Sequence, residues 1–138
     1  MNLPGELAAV VRERARDRCE YCLMHQSLQG ATSHVEHVIP RAKGGSSDIA
    51  NLALACPGCN LHKADRTAAI DPETGAVTPL FHPRRQPWNE HFHFDGEWTQ
   101  GLTAIGRTTV AALDLNHPRR RSIRGAERRL GFFPPEVT

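Results

Sequence analysis

Near the N-terminus, Leu7, Val10, Val11 and Ala15 recur at helical spacing. With Pro4 suited to a first turn, this predicts an amphipathic helix from Pro4 to about Arg18. Cys19-Glu20-Tyr21-Cys22 breaks the period as a tight turn, and a polar loop follows around Gln29 and Gly30. The β-branched, alternating run Ser33–Ile39 predicts a strand that Pro40 ends. Gly44, Gly45, Ser46, Ser47 and Asp48 form a flexible loop. A second short strand, Asn51–Cys56, leads into Pro57, a good first helical residue, and a helix carrying Cys59, Asn60 and Lys63. The predicted order is therefore strand, loop, strand, helix.

Beyond Asp71, Val77–Phe81 and His91–Phe94 have the pattern of strands, and Asp95-Gly96 signals a hairpin turn toward Trp98. Ile105, Val110, Leu113 and Leu115 restore helical spacing, with Pro118 as a stop. A last basic helix, Pro118–Leu130, would place Ile123, Ala126 and Leu130 on one face before Gly131 and Pro134-Pro135. His91 and His93 alternate with Phe92 and Phe94. That spacing admits a second metal site, but an amphipathic strand with its aromatics inward is the better reading. Trp88 and Trp98 read as core rather than as base-stacking residues.

The chain of 138 residues, 39% hydrophobic, allows one modest core, so residues 1–138 are expected to form a single α+β unit. A net charge of +2 does not by itself argue for a nucleic-acid partner. The distribution is more telling: Arg12, Arg14, Arg16 and Arg18 alternate near the start, and Arg119, Arg120, Arg121, Arg124, Arg128 and Arg129 crowd the end. Each run is either a solvated helix face or a phosphate-facing one. No leader-like segment follows Met1 and no apolar stretch reaches bilayer length, so a cytoplasmic protein with no membrane partner is expected. In such a reducing compartment, Cys19/Cys22 and Cys56/Cys59 read as metal ligands before disulfides. Two-residue gaps let each pair converge on one ion. Four thiolates leave no open position, so the ion would be a structural Zn²⁺.

Between the pairs stand His34-Val35-Glu36-His37-Val38-Ile39-Pro40, Gly44-Gly45 and Asn51-Leu52, and the second pair continues as Cys56-Pro57-Gly58-Cys59-Asn60-Leu61-His62-Lys63. This order, over residues 19–66, resembles the HNH endonuclease family. There, an acidic residue and His precede an Ile-Pro loop with paired glycines, then Asn-Leu, then Cys-x-x-Cys-Asn-x-x-Lys. The tail, with Leu80-Phe81-His82-Pro83-Arg84, Trp88, His91-Phe92 and Gly106-Arg107, is similar to an extension in bacterial members.

The resemblance implies a ββα-metal core stapled by the four-cysteine zinc site, flanked by an N-terminal helix and a C-terminal strand and helix extension. It implies hydrolysis of phosphodiester bonds in duplex DNA with one Mg²⁺ or Mn²⁺. His37 would be the general base, Glu36 (where the family usually has Asp) and Asn60 would hold the cation, and Asn51 would steady the loop and help orient the base. His62 and Lys63 would lie near the phosphate; for His34, phosphate contact and strand packing are equally open. Arg119, Arg120, Arg121 and Arg124 would contact the DNA backbone if their helix face is not merely solvated. Because strand neighbours alternate faces, Glu36 and His37 address one phosphate only if the strand ends or twists there. A non-catalytic zinc-finger module and an RNA-cleaving enzyme remain the alternatives.

Overall fold

A computed structural model describes residues 5–136. In chain order the elements are α1 (Gly5–Ala15), β1 (His34–His37), β2 (Leu52–Ala55), α2 (Pro57–Lys63), β3 (Ala68–Ile70), β4 (Val77–Pro79), α3 (Trp88–His91), β5 (Phe92–Asp95), β6 (Trp98–Gly101), α4 (Ala104–Ala112) and α5 (Pro118–Arg129). The strands pair antiparallel as β1–β2, β3–β4 and β5–β6, so the fold is α+β, as expected. Pro4, the expected start of the first helix, lies outside the described residues.

The β1–β2 register sets Val35 opposite Leu54, Glu36 opposite Ala53 and His37 opposite Leu52. Alternation then separates two faces. On one, Leu52 and Leu54 pack with Val11 of α1, flanked by Leu7, Ala15 and Val35. Full burial of Val11, Leu52 and Leu54 stabilises this packing by about 1.5–3 kcal/mol for each side chain. On the other, Ala53 and Ala55 join the main core with the four cysteines, Tyr21 and Phe81. The first cysteine turn is fastened along β2: the Glu20 amide donates to the Leu54 carbonyl, and the Glu20 carboxylate accepts from the Leu54 amide, both at 2.8 Å. The otherwise open edge of β2 is thereby satisfied.

β1 is shorter than Ser33–Ile39 because the ladder passes from backbone to side chain. The Val38 amide still reaches the Asn51 carbonyl at 2.9 Å, but the Ile39 amide goes to Asn51 Oδ1 at 3.0 Å. β3, which the sequence did not suggest, is three residues long and too short to show alternation. Trp88–His91 turns as a helix, so the next strand starts at Phe92 rather than His91. Its aromatics do point inward: Phe92 is buried between Phe81 and Trp88, at 5.1 Å from each ring, while Phe94 lies 4.5 Å from Phe133.

The last helix differs most from expectation. Its buried face carries Arg120, Arg124, Gly125 and Glu127, whereas Leu130 is 61% exposed. Trp98 is not core either; it is 49% exposed, with the Arg121 guanidinium 4.0 Å from its ring.

Candidate functional site

The sulfurs of Cys19, Cys22, Cys56 and Cys59 all lie within 4.8 Å of one another and are buried. Cys22 Sγ and Cys56 Sγ are 3.7 Å apart. A tetrahedral zinc with Zn–S near 2.3 Å has S···S edges of about 3.8 Å, so the donor set fits Zn²⁺. Backbone N–H groups support the sulfurs: Tyr21 and Cys22 donate to Cys19 Sγ at 3.4 and 3.5 Å, and Cys59 donates to Cys56 Sγ at 3.4 Å.

Four thiolates around a dication leave negative charge in a buried place, which needs compensation. Arg120 supplies it. Its Nη2 donates to Cys59 Sγ at 2.9 Å and to Cys56 Sγ at 3.4 Å, while Nη1 donates to the Leu113 carbonyl at 2.7 Å. Burial works against the charge of Arg120, yet the thiolates outweigh it and raise its pKa above the ordinary arginine value. Gly58 makes room, since a Cβ there would stand 3.3 Å from Arg120 Cζ. Arg124, fully buried, donates from Nε to the Glu97 carbonyl at 2.8 Å and from Nη2 to the Leu115 carbonyl and Asn116 Oδ1. The expectation that Arg120 and Arg124 contact phosphate is thus corrected: both are internal ties. Arg119 is exposed, and Arg121 donates to the Asn116 carbonyl at 3.0 Å beside Trp98. One sequence signal was available, because Arg120, Arg124 and Glu127 share a helical face by i, i+4, i+7 spacing.

Asn51, 6% exposed, fastens the loop between β1 and β2. Nδ2 donates to the carbonyls of Ile39 and Ser46 at 3.0 and 2.8 Å, and Oδ1 accepts from the Ile39 amide. The paired glycines serve the same closure. Gly44 has φ of 86°, and a Cβ on Gly45 would fall 1.7 Å from the Ile39 carbonyl oxygen.

Glu36 and His37 address opposite faces, as strand alternation requires. Glu36 turns inward, where one carboxylate oxygen accepts from the Tyr21 hydroxyl and the other lies 3.3 Å from the Lys63 ammonium. Lys63, 1% exposed, also donates to the Val38 carbonyl at 2.9 Å. Burial raises the Glu36 pKa above the ordinary carboxylate value, partly countered by Lys63 and Tyr21. Lys63, expected near phosphate, is therefore an internal clamp between α2 and β1. Tyr21, which the sequence did not single out, ties the zinc turn to the same strand. Its place inside the first Cys-x-x-Cys was the available hint.

His37 is partly buried, and its Nε2 lies 2.9 Å from Ser47 Oγ in the glycine-serine loop. Burial and the nearby Arg41 charge lower its pKa below the usual imidazole value, favouring the neutral ring. Asn60 follows Cys59 on α2, partly buried, with no hydrogen-bond partner for its side chain among the described residues. His34 and His62 are exposed and likewise without side-chain partners among the described residues. A catalytic cation would find the Asn60 side-chain oxygen free. At Glu36 it would compete with the Lys63 ammonium, which already neutralises that carboxylate. The four cysteines are the one group of three or more converging His, Cys, Asp or Glu side chains among the described residues.

Residues 19–66 match the HNH endonuclease family, and the matched span begins at the first zinc-type cysteine and ends just past α2. No curated protein and no solved structure matches the chain.

Proposed function

We propose that the HNH core of residues 19–66 hydrolyses phosphodiester bonds of DNA, with His37 as the general base that takes a proton from the attacking water. The observation that carries this reading is the setting of His37, an imidazole biased toward neutrality at the end of β1, held by Ser47 in a loop that Asn51 and Gly45 fix. With Nε2–H donated to Ser47, Nδ1 keeps its lone pair for the proton. A base so positioned contributes about 10²–10⁴ in rate.

Mg²⁺ or Mn²⁺, when bound, would offset the charge that develops on the phosphate oxygens. Asn60 would hold it through its side-chain oxygen, whereas Glu36, the other ligand the resemblance implies, faces away from His37 and is engaged by Tyr21 and Lys63. Asn51 acts as a positioning residue, since its hydrogen bonds set the loop that carries Ser47. His34, His62, Arg119 and Arg121 are the remaining candidates for phosphate contact, the first three being exposed. The thiolate set fits a cytoplasmic setting, where cysteines stay reduced. A non-catalytic zinc finger led by the C-terminal arginines is the weaker reading, because Arg120 and Arg124 are used up inside the protein.

The test is conversion of supercoiled plasmid by the zinc-loaded protein, with and without added Mg²⁺ or Mn²⁺. Nicking or linearisation that depends on the added cation is the expected result. Plasmid left supercoiled under every divalent cation would contradict the proposal.

A further inference from the structure

A cavity of about 990 Å³ opens between the end of α1, the first cysteine turn, the segment from Phe81 to Trp88 and the stretch from Phe132 to Glu136. Nucleotide-sized ligands occupy spaces of roughly this order. Its charge is unbalanced: Arg18 is matched by Glu127 at 3.9 Å, and Arg14, Arg16 and Arg84 remain against Glu20 and Glu136. Arg14 and Arg84 share the single Glu20 carboxylate, which also accepts the Leu54 amide. The Nε donors of both arginines are buried without a partner. Crowding of this kind pushes the Arg84 pKa down to about 10, burial acting first and the Arg14 charge second. Arg16 is exposed, has no side-chain partner among the described residues, and is held at a φ of 54° just past α1. That left-handed position closes α1, with the Arg16 amide donating to the Glu13 carbonyl at 3.1 Å and the Asp17 amide to the Arg12 carbonyl at 3.2 Å.

The cavity is also lined by an aromatic pair. Phe132, 41% exposed, stacks on His25 with ring centroids 5.6 Å apart and planes 21° from parallel. Surplus guanidinium charge beside an open aromatic pair suits a ligand that carries both an anion and a ring. An inorganic anion would leave the rings unused; an apolar ligand would leave the arginines unmatched. We propose that this cavity binds a nucleotide, with its phosphate on Arg16 and Arg84 and its base on the Phe132–His25 pair. The nucleotide is either free or an unpaired residue of a nucleic-acid strand; in the second form the inference rests on the nuclease reading above. Arg14 connects the two places, since it donates to the carbonyls of Ile49 and Leu52, which flank Asn51, at 3.2 and 2.6 Å.

Binding of a fluorescent single-stranded oligonucleotide to the zinc-loaded protein, with no other divalent cation, tests the inference by anisotropy. The wild type is compared with Arg16→Glu and Phe132→Ala, both at exposed positions, with thermal melts as the fold control. Each variant should weaken binding about fivefold or more, as loss of a phosphate contact or a stacked base does. Competition with adenosine 5′-monophosphate and with inorganic phosphate separates the sources. Displacement by the nucleotide alone assigns a free-nucleotide site, and resistance to both assigns a strand site. Equal affinity in wild type and both variants would overturn the proposal, as would displacement by inorganic phosphate as effective as by the nucleotide. Plasmid cleavage is followed in parallel. Cleavage without oligonucleotide binding sinks the cavity and spares the nuclease; binding lost in the variants with no cleavage by the wild type does the reverse.

Discussion

Arg120 illustrates how a residue's role depends on its neighbours rather than its type. A guanidinium in a run of arginines reads as solvated or phosphate-facing, yet here it lies against two zinc-site sulfurs and a helix-end carbonyl. Removing such an outer partner typically costs about 10–100-fold in metal affinity. Arg120→Leu should therefore release zinc faster to a chromogenic chelator, by a factor in that range, with Arg120→Lys intermediate because a compact ammonium cannot reproduce the fork. Release at the wild-type rate in Arg120→Leu would remove the counter-charge role. The cysteines were legible because ligand spacing is set by the ion. Arg120, Tyr21 and Lys63 were not, because nothing local announces that a charge or hydroxyl will be matched by a group many residues away.

At the scale of elements, the loop between β1 and β2 depends on a close approach that only glycine permits. Gly45→Ala would drive a Cβ into the Ile39 carbonyl and disturb Asn51, which stands 2.9 Å from the same point. A loss of about 1–3 kcal/mol follows from such strain, visible as a lowered Tm; an unchanged melt would mean the loop can shift without cost. The β3–β4 hairpin is held differently, by Arg107 of α4 on the buried Asp71 carboxylate at 3.0 Å. Bonds from Arg107, the Glu73 amide and Thr74 lower the Asp71 pKa to about 2. A carboxyl depressed on folding stabilises the native state above its unfolded pKa, near 4, and that contribution fades as pH falls through about 2. Between about pH 5 and pH 2, the urea midpoint of the wild type should fall more than that of Asp71→Asn, and parallel curves would show the pair to be inert. Of this hairpin, β4 lies within the strand expected over Val77–Phe81, whereas β3 escaped sequence reading because three residues carry no periodicity. The β1–β2–α2 order was readable because Pro40, the glycines and Pro57 punctuate it.

For the whole molecule, the zinc turns are the junction between the matched core and the C-terminal extension. Trp88 Nε1 donates to the Tyr21 carbonyl at 2.9 Å, and one core cluster runs from Cys19 to Phe133. Metal binding in small zinc domains is of the order of the folding free energy itself. Stripping the zinc, or replacing Cys19 with Ser, should therefore abolish the near-ultraviolet circular dichroism of Trp88 together with the cooperative melt. A zinc-free protein that keeps both signals would contradict a structural role. The α+β class and the stapled core could be foreseen from the sequence. The way the extension closes over them could not, because it is built from aromatic contacts and arginine ties that join distant segments.

The proposed role of His37 in activating water is checked by plasmid cleavage with zinc-loaded wild type and His37→Ala in Mg²⁺ or Mn²⁺, each assayed for zinc content and Tm. Wild type should cleave, while His37→Ala should lose at least about 10² in rate and keep its zinc and its melt. Cleavage by His37→Ala at the wild-type rate would remove His37 as the base.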